Sequence, residues 1–343
     1  MLAWTVENWG LAELALVERP SPSPGPGEVK VAFSAVSLNY RDLLVVKGLY
    51  NPKFSRPLVP CSDGFGTVVE IGSGVDPTLM GRSVLSLFCP EWHDGAPTVE
   101  VLRQTLGGPL AGVLQQERCF HPSQLVFLEE PSALTAWEWA TLPCAGVTAW
   151  NCLVEHGRLA AGQTVLLLGT GGVSLFGLQI AKMMGARVLL LSSSQEKRAR
   201  AKELGADSVH CYRSDPNWSR WVLEHTQGRG VDIVLETGGA GTLGESLKSV
   251  AVGGHVALVG VLSGSSEELN ILPLVMKAVT VRGGVVGSKE HSIRLQRAYL
   301  QNFKRPVVHE VHHWSDARAA FESLESGRQF GKIVVDLSSD ALV

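Results

Sequence analysis

Residues Leu166-Leu167-Leu168-Gly169-Thr170-Gly171-Gly172-Val173-Ser174 run an apolar strand into a glycine turn, and an apolar helix over 175–184 comes directly after. Gly169 permits a tight turn. Gly171 lets backbone approach a pyrophosphate, and the helix start offers unpaired N–H groups and the positive end of its dipole. The pattern departs from G-x-G-x-x-G at its third position, where Ser174 stands; serine is small enough for close helix–strand packing. The same turn also occurs where a strand feeds a helix and binds nothing. The next hundred residues argue for the ligand. Strand-like runs at 187–191, 231–235 and 255–259 alternate with helix-like runs at 195–204, 218–226 and 243–250. That alternation predicts an α/β fold with a doubly wound parallel sheet.

The chain's 343 residues leave room for a second domain. Its first third reads differently. Strand candidates at 14–17, 28–34 and 66–71 flank a Pro/Ser/Gly turn at 20–27, which is too proline-rich for a strand interior. This predicts a small, mostly β domain over 1–122. Between Phe88 and Phe120 lies an irregular stretch holding Trp92, His93, Gly107, Gly108 and Pro109, long enough to loop over a site. Helices expected at 133–140 and 146–154 lead into a dinucleotide domain at 123–289. A helix at 316–324 and a strand at 332–337 place the tail, 290–343, back on the first domain.

Composition excludes several function classes. With a net charge of −3 and no basic block, nucleic-acid binding has no electrostatic support. No apolar run approaches the roughly 20 residues needed to cross a bilayer, and the amino terminus lacks a basic stretch followed by an apolar one. The expectation is a cytoplasmic protein with neither membrane nor nucleic acid as partner. The cysteines at 61, 89, 119, 144, 152 and 211 are scattered without C-x-x-C, so a closed four-cysteine zinc lobe is not predicted.

Further segments stand in one order along nearly the whole chain: Asn39-Tyr40-Arg41-Asp42, Asp63-Gly64-Phe65-Gly66, Leu142-Pro143-Cys144-Ala145-Gly146-Val147-Thr148-Ala149-Trp150, Glu236-Thr237-Gly238-Gly239 and Phe330-Gly331-Lys332-Ile333-Val334. With the glycine turn they resemble the medium-chain dehydrogenase/reductase superfamily, and most of all its zinc-independent quinone oxidoreductase and related alcohol dehydrogenase-like branch. The resemblance implies a GroES-like mostly β domain built from both chain ends and a Rossmann domain between them. It also implies a homodimer, with 269–287 pairing edge to edge across a two-fold axis.

By the same resemblance, zinc-dependent members hold catalytic zinc at the places of Asn39, Ser62 and Cys144. Only Cys144 suits Zn²⁺, which prefers thiolate, imidazole or carboxylate. The region of a structural zinc lobe, 88–120, offers just Cys89 and Cys119; His93 beside Cys89 is either part of a metal site or structural. The expectation is no zinc. Oxidising a simple alcohol then lacks its Lewis acid. Reducing a quinone or enone needs less help, because the acceptor delocalises the hydride's charge onto oxygen.

Cofactor choice is read at the end of the second Rossmann strand. Ser192, Ser193 and Ser194 stand there with no carboxylate, and Lys197 and Arg198 come after, which favours the 2′-phosphate of NADPH over NADH. Against this, Ser193 and Glu196 have capping-box spacing, and Lys197 and Arg198 also read as a solvated helix face.

The resemblance places Asn39, Tyr40 and Asp42 on the substrate side. Tyr40 would donate to a carbonyl and Asn39 would orient it or a water, while Arg41 and Asp42 equally suit a structural ion pair. Tyr50 lines the acceptor pocket or packs on the core. Thr148 lies beside the nicotinamide or bonds back to its helix. Gly169, Thr170, Gly171, Gly172 and Val173 would hold the pyrophosphate. Gly238, Gly260, Val261 and Leu262, with Gly284, Val285 and Val286, come after later strands at the sheet's carboxyl edge. Gly331 and Lys332 contact the cofactor, or the glycine serves only the last turn. His312-His313 reads as a surface pair. The function expected is hydride transfer from NADPH to a small acceptor (a quinone, enone or aldehyde). An alcohol dehydrogenase or carbonyl reductase on the same fold, and a non-catalytic NADPH-binding protein, are the alternatives.

Overall fold

The computed structural model describes residues 1–129, 133–266 and 268–338. The chain divides into two compact units, Met1–Val147 with Gly287–Val343, and Thr148–Val286.

The second unit is built on a six-stranded sheet in the order Ser208–His210, Arg187–Leu191, Thr164–Leu168, Val231–Glu236, Val250–Leu258, Thr280–Gly283. Every neighbouring pair is parallel. Parallel strands covered on both faces carry continuous apolar runs, and Thr164–Leu168 is buried at every residue. Leu166, Leu189, Val234 and Val256 are fully buried and make the centre of its core. The strand order reverses between Thr164–Leu168 and Val231–Glu236. The crevice beyond the carboxyl ends at such a reversal is where ligands bind in open α/β sheets.

In the first unit, Leu2–Val6 pairs with Leu14–Glu18. A seven-stranded sheet runs Val308–His313, Lys332–Asp336, Val29–Ser37, Asp63–Ile71, Ser83–Ser86, Leu125–Phe127, with Glu117–Phe120 also paired to Val29–Ser37. The tail thus returns to the first unit: Val334 to Asp336 pair antiparallel with Ser37 to Ala35. Helix Ala317–Glu325 buries Ala317, Ala320, Phe321 and Leu324, an i, i+3, i+4, i+7 stripe. Trp314 beside it meets Trp4 edge-on at 6.5 Å.

Several boundaries differ from those expected. Leu125–Phe127 pairs with Ser83–Ser86, and helix Ala136–Ala140 packs on Val29–Ser37 and Asp63–Ile71. Residues 125–129 and 133–147 therefore fold with the first unit, and the division falls at 147/148 rather than 122/123. The helix expected over 146–154 is only Val147–Trp150, between the π-helical turns Leu142–Gly146 and Asn151–His156. The stretch 88–120 holds helix Val99–Arg103 and the strand Glu117–Phe120. Helix Lys289–Gln301, capped by Ser288, is not among the expected elements; its buried Ser292, Leu295, Gln296 and Tyr299 mix polar with apolar residues and weaken the periodic signal. Among the described residues no helix is long and apolar enough to cross a membrane.

Candidate active site

In the second unit, Gly169 adopts a φ of 77°, and its N–H donates to the Leu191 carbonyl at 2.7 Å. Gly171 caps helix Gly172–Met183 without any side-chain bond to the first turn, so the helix start keeps open donors. A Cβ built on Gly169 or Gly171 would meet nothing within 4 Å. Bare space stands over an uncapped helix end, which is what a pyrophosphate needs. Ser174 is buried, and its hydroxyl donates to the Leu168 carbonyl at 2.6 Å. The departure from the glycine pattern is thus absorbed beneath the turn.

No sequence motif gives Glu236 a role of its own. Fully buried, it accepts the N–H groups of Gly238 and Gly239 at 2.7 and 3.1 Å and the Thr242 hydroxyl at 2.7 Å. The Ser246 hydroxyl also donates to it. It therefore shapes the loop that carries Gly238. A Cβ on Gly238 would collide with Thr242, and one on Gly260 with the Thr237 carbonyl, so both glycines serve close loop packing. Val261 and Leu262 are exposed. Gly284 packs where a Cβ would strike Cys152. Val285 accepts from the Asn151 amide at 2.9 Å, and Val286 is buried.

At the tip of Arg187–Leu191, Ser194 rather than Ser193 caps the next helix, accepting the Lys197 N–H at 3.3 Å. The capping box expected of Ser193 and Glu196 is not formed, because the helix starts one residue later than that spacing requires. Glu196 instead faces Arg200 at 4.0 Å with its side chain 82% exposed. Ser192 is buried, and its carbonyl accepts from the Arg198 guanidinium at 2.8 Å. Partial burial pushes Lys197 below its ordinary range. Cys211 lies 3.8 Å from the Ser193 carbonyl; hydrogen bonds from Ser214 lower its thiol to about 7.

The first unit gathers the other candidates at the start of helix Tyr40–Val46. Asp42 is fully buried, and its carboxylate accepts the Asn39 N–H at 2.9 Å. Burial pushes it up to about 6, against the pull of neighbouring Arg41. Arg41 sits 3.7 Å from Asp42 and donates to the Leu106 carbonyl at 2.6 Å, the Thr105 hydroxyl at 2.9 Å and the Gly108 carbonyl. Its guanidinium also lies 5.0 Å from the Tyr50 ring centre, and Tyr50 leans on Phe54 at 6.3 Å. Arg41 thereby holds the 105–108 loop, and Tyr50, half exposed, packs on Arg41 and Phe54. Tyr40 is 46% exposed. Thr148, the first residue of the second unit, is buried.

Lys332, expected to contact the cofactor, is held by polar groups of the first unit. It is 4% exposed, and its ammonium points into the first unit. There it donates to the Leu38 carbonyl at 2.5 Å and to Asn39 Oδ1, and lies 3.9 Å from Asp63. Gly331 has a φ of 99°, and a Cβ there would strike the Val307 carbonyl, so the last turn before the strand accounts for that glycine. Asp63 is fully buried and accepts the Ser62 hydroxyl at 2.6 Å and the Cys144 N–H at 3.1 Å. Burial pushes its carboxyl up, and Lys332 is the largest opposing influence. The only advance signal of this pairing is an acid and a lysine in two separately recognised segments, Asp63-Gly64-Phe65-Gly66 and Phe330-Gly331-Lys332-Ile333-Val334.

These donors do not suit zinc. Asn39 Oδ1 is taken by Lys332 and the Ser62 hydroxyl by Asp63. Burial holds the Cys144 thiol well above its usual range. A fixed ammonium stands among them. Cys89 is buried, and His93 pairs with Glu91 at 3.8 Å. Among the described residues no three His, Cys, Asp or Glu side chains converge to hold a metal.

Comparison with known proteins bears on the whole chain. The alcohol dehydrogenase GroES-like domain matches residues 25–130, and the zinc-binding dehydrogenase family matches 172–301. A zinc-type alcohol dehydrogenase-like protein of Schizosaccharomyces pombe is 37% identical over 318 residues, 91% of each chain. The solved structure of a protein assigned as an alcohol dehydrogenase from Sinorhizobium meliloti 1021 is 40% identical, with a TM-score of 0.90 over 98% of both chains. A mycobacterial protein solved in complex with NADPH is 27% identical, with a TM-score of 0.81 over 98% of this chain and 100% of its own. With its GroES-like and Rossmann units and these relatives, the chain belongs to the medium-chain dehydrogenase/reductase superfamily and is an oxidoreductase of that family.

Proposed function

We propose that this protein reduces a quinone or an α,β-unsaturated carbonyl with NADPH and without catalytic zinc. One observation carries the reading: Asn39, which the resemblance sets at the place of a zinc ligand, belongs instead to a buried Lys332–Asn39–Asp63 network, next in sequence to the exposed Tyr40. Such a site can stabilise an oxyanion by hydrogen bonds but has no Lewis acid for a simple alcohol. In the second unit the residues at the glycine turn would hold the pyrophosphate. Ser193, Lys197 and Arg198 favour the extra phosphate, since no carboxylate stands at the strand tip and Glu196 faces away. The NADPH complex of the mycobacterial relative supports a nicotinamide cofactor.

When bound, the reduced cofactor would supply a hydride from its nicotinamide ring, being oxidised as the acceptor is reduced. The hydride's electron pair forms the new C–H bond at the enone β-carbon or quinone ring, the π electrons move onto oxygen, and Tyr40 or a water delivers the proton. The amides and hydroxyls of the first unit orient the acceptor oxygen and carry its developing charge.

The test is titration of metal-analysed protein with NADPH and NADH, then single-turnover oxidation by a small quinone and a small enone. Tighter NADPH binding, fast oxidation and no stoichiometric zinc are expected. Bound zinc with turnover of secondary alcohols would replace this reading with an alcohol dehydrogenase, the activity for which two of the relatives are named. Cofactor binding without turnover of any acceptor would leave a non-catalytic binder.

A further inference from the structure

We propose that Lys332 is a positioning residue for this reduction: its buried ammonium fixes the Asn39 amide as a hydrogen-bond donor to the acceptor oxygen. The inference rests on the reductase reading above.

An asparagine amide presents an acceptor on one side and two donors on the other. Lys332 Nζ donates to Asn39 Oδ1, and an ammonium has only donors, so the amide cannot flip without setting donor against donor. The same ammonium holds the Leu38 carbonyl at 2.5 Å. Side chain and preceding backbone are thus fixed together at the head of helix Tyr40–Val46. Asn39 Nδ2 completes no full hydrogen bond, although the residue is only 8% exposed; it leans towards the Asp63 carboxylate, which occupies at most one of its two N–H groups. Orphaned buried donors are rare in folded proteins and cluster where a ligand satisfies them. An acceptor oxygen gathering negative charge is such a ligand.

The surroundings set the amide's strength as a donor. A cation on Oδ1 polarises the amide and makes its N–H groups better donors, the more so at low dielectric. Asp63, 3.9 Å from Lys332, balances the ammonium and is itself tied down by Ser62 and the Cys144 N–H. A weak side-chain hydrogen bond from Asn39 also helps hold the Asp63 carboxyl down, which leaves the second N–H of the amide for the acceptor oxygen. A fixed protein cation thereby takes up part of the charge that zinc supplies in zinc-dependent relatives.

The experiment uses the full chain with NADPH and a small quinone, and compares Lys332→Met, Lys332→Arg, Asn39→Ala and the double variant Lys332→Met/Asn39→Ala. Lys332→Met should lower kcat by roughly 10- to 100-fold, with KM and the NADPH dissociation constant within about twofold. Lys332→Arg should recover part of the loss. The double variant should be no slower than Asn39→Ala, because one residue acts through the other. Multiplicative losses in the double variant would overturn the inference. So would weaker NADPH binding with kcat intact, which would make Lys332 a cofactor contact, or a lowered Tm with unchanged kcat, which would leave it structural. Should Lys332→Met fail to fold, Lys332→Arg takes its place in the same cycle. A wild type that oxidises NADPH with no acceptor overturns the reductase reading itself; an active wild type with multiplicative losses overturns this inference alone.

Discussion

Asp42 shows how one buried carboxyl links stability to pH. Its folded value of about 6 lies above the ordinary 3.8, so the neutral form is the one folding favours. The stability gained is full below about pH 4 and is lost as pH rises through about 6. Asp42→Asn keeps an acceptor for the Asn39 N–H and removes the titration. In thermal unfolding the variant should match wild type near pH 4 and gain by up to about 3 kcal/mol above pH 6; a gain of the same size at every pH would refute the assignment. Cys211 offers a second check at this scale. Its thiol, lowered to about 7, should be the first of the six to be alkylated by iodoacetamide at neutral pH, and Cys211→Ser should remove that fast phase. Neither property was legible in the sequence, because both depend on neighbours distant along the chain or on loop hydrogen bonds.

At the scale of elements, the strand–turn–helix at 164–183 was plain in the sequence, since local periodicity and glycine placement determine it. Gly171 and Gly260 separate the two uses of glycine there. Gly171 has an ordinary φ of −76° and open space where a Cβ would stand. Gly171→Val should leave Tm within a few degrees and weaken binding of the proposed nicotinamide cofactor by roughly tenfold or more, the side chain intruding where its pyrophosphate would meet the helix start. Gly260→Ala should do the reverse and lower Tm, because its Cβ would strike the Thr237 carbonyl. Equal loss of affinity with no loss of stability in both would count against this division. The misplaced cap had a local cause: Ser192, Ser193 and Ser194 are chemically alike, and only the start of the helix chose Ser194.

For the whole molecule, we propose that the exposed edge of the second unit joins two copies of the chain. Thr280–Gly283 is an edge strand exposed at every residue, and Ile271, Leu272, Val275 and Met276 on the preceding segment are all more than half exposed. Apolar surface beside an open strand edge is a liability unless it is covered. Light scattering should give about twice the 36.8 kDa chain mass, and Val275→Asp with Val281→Asp should halve it. A monomeric wild type at micromolar concentration would exclude this interface.

The sequence by itself determined the α/β class, the parallel sheet and its glycine turn, and the return of the tail to the first domain, because each comes from local periodicity, turn chemistry or the order of recognisable segments. Tertiary structure alone decided that Lys332 turns inward to Asn39 and Asp63, that Leu125–Phe127 and helix Ala136–Ala140 fold with the first unit, and that Glu236 shapes the loop carrying Gly238. These outcomes depend on which polar groups, once buried, find a partner among residues far away in the chain, and no local pattern encodes that choice.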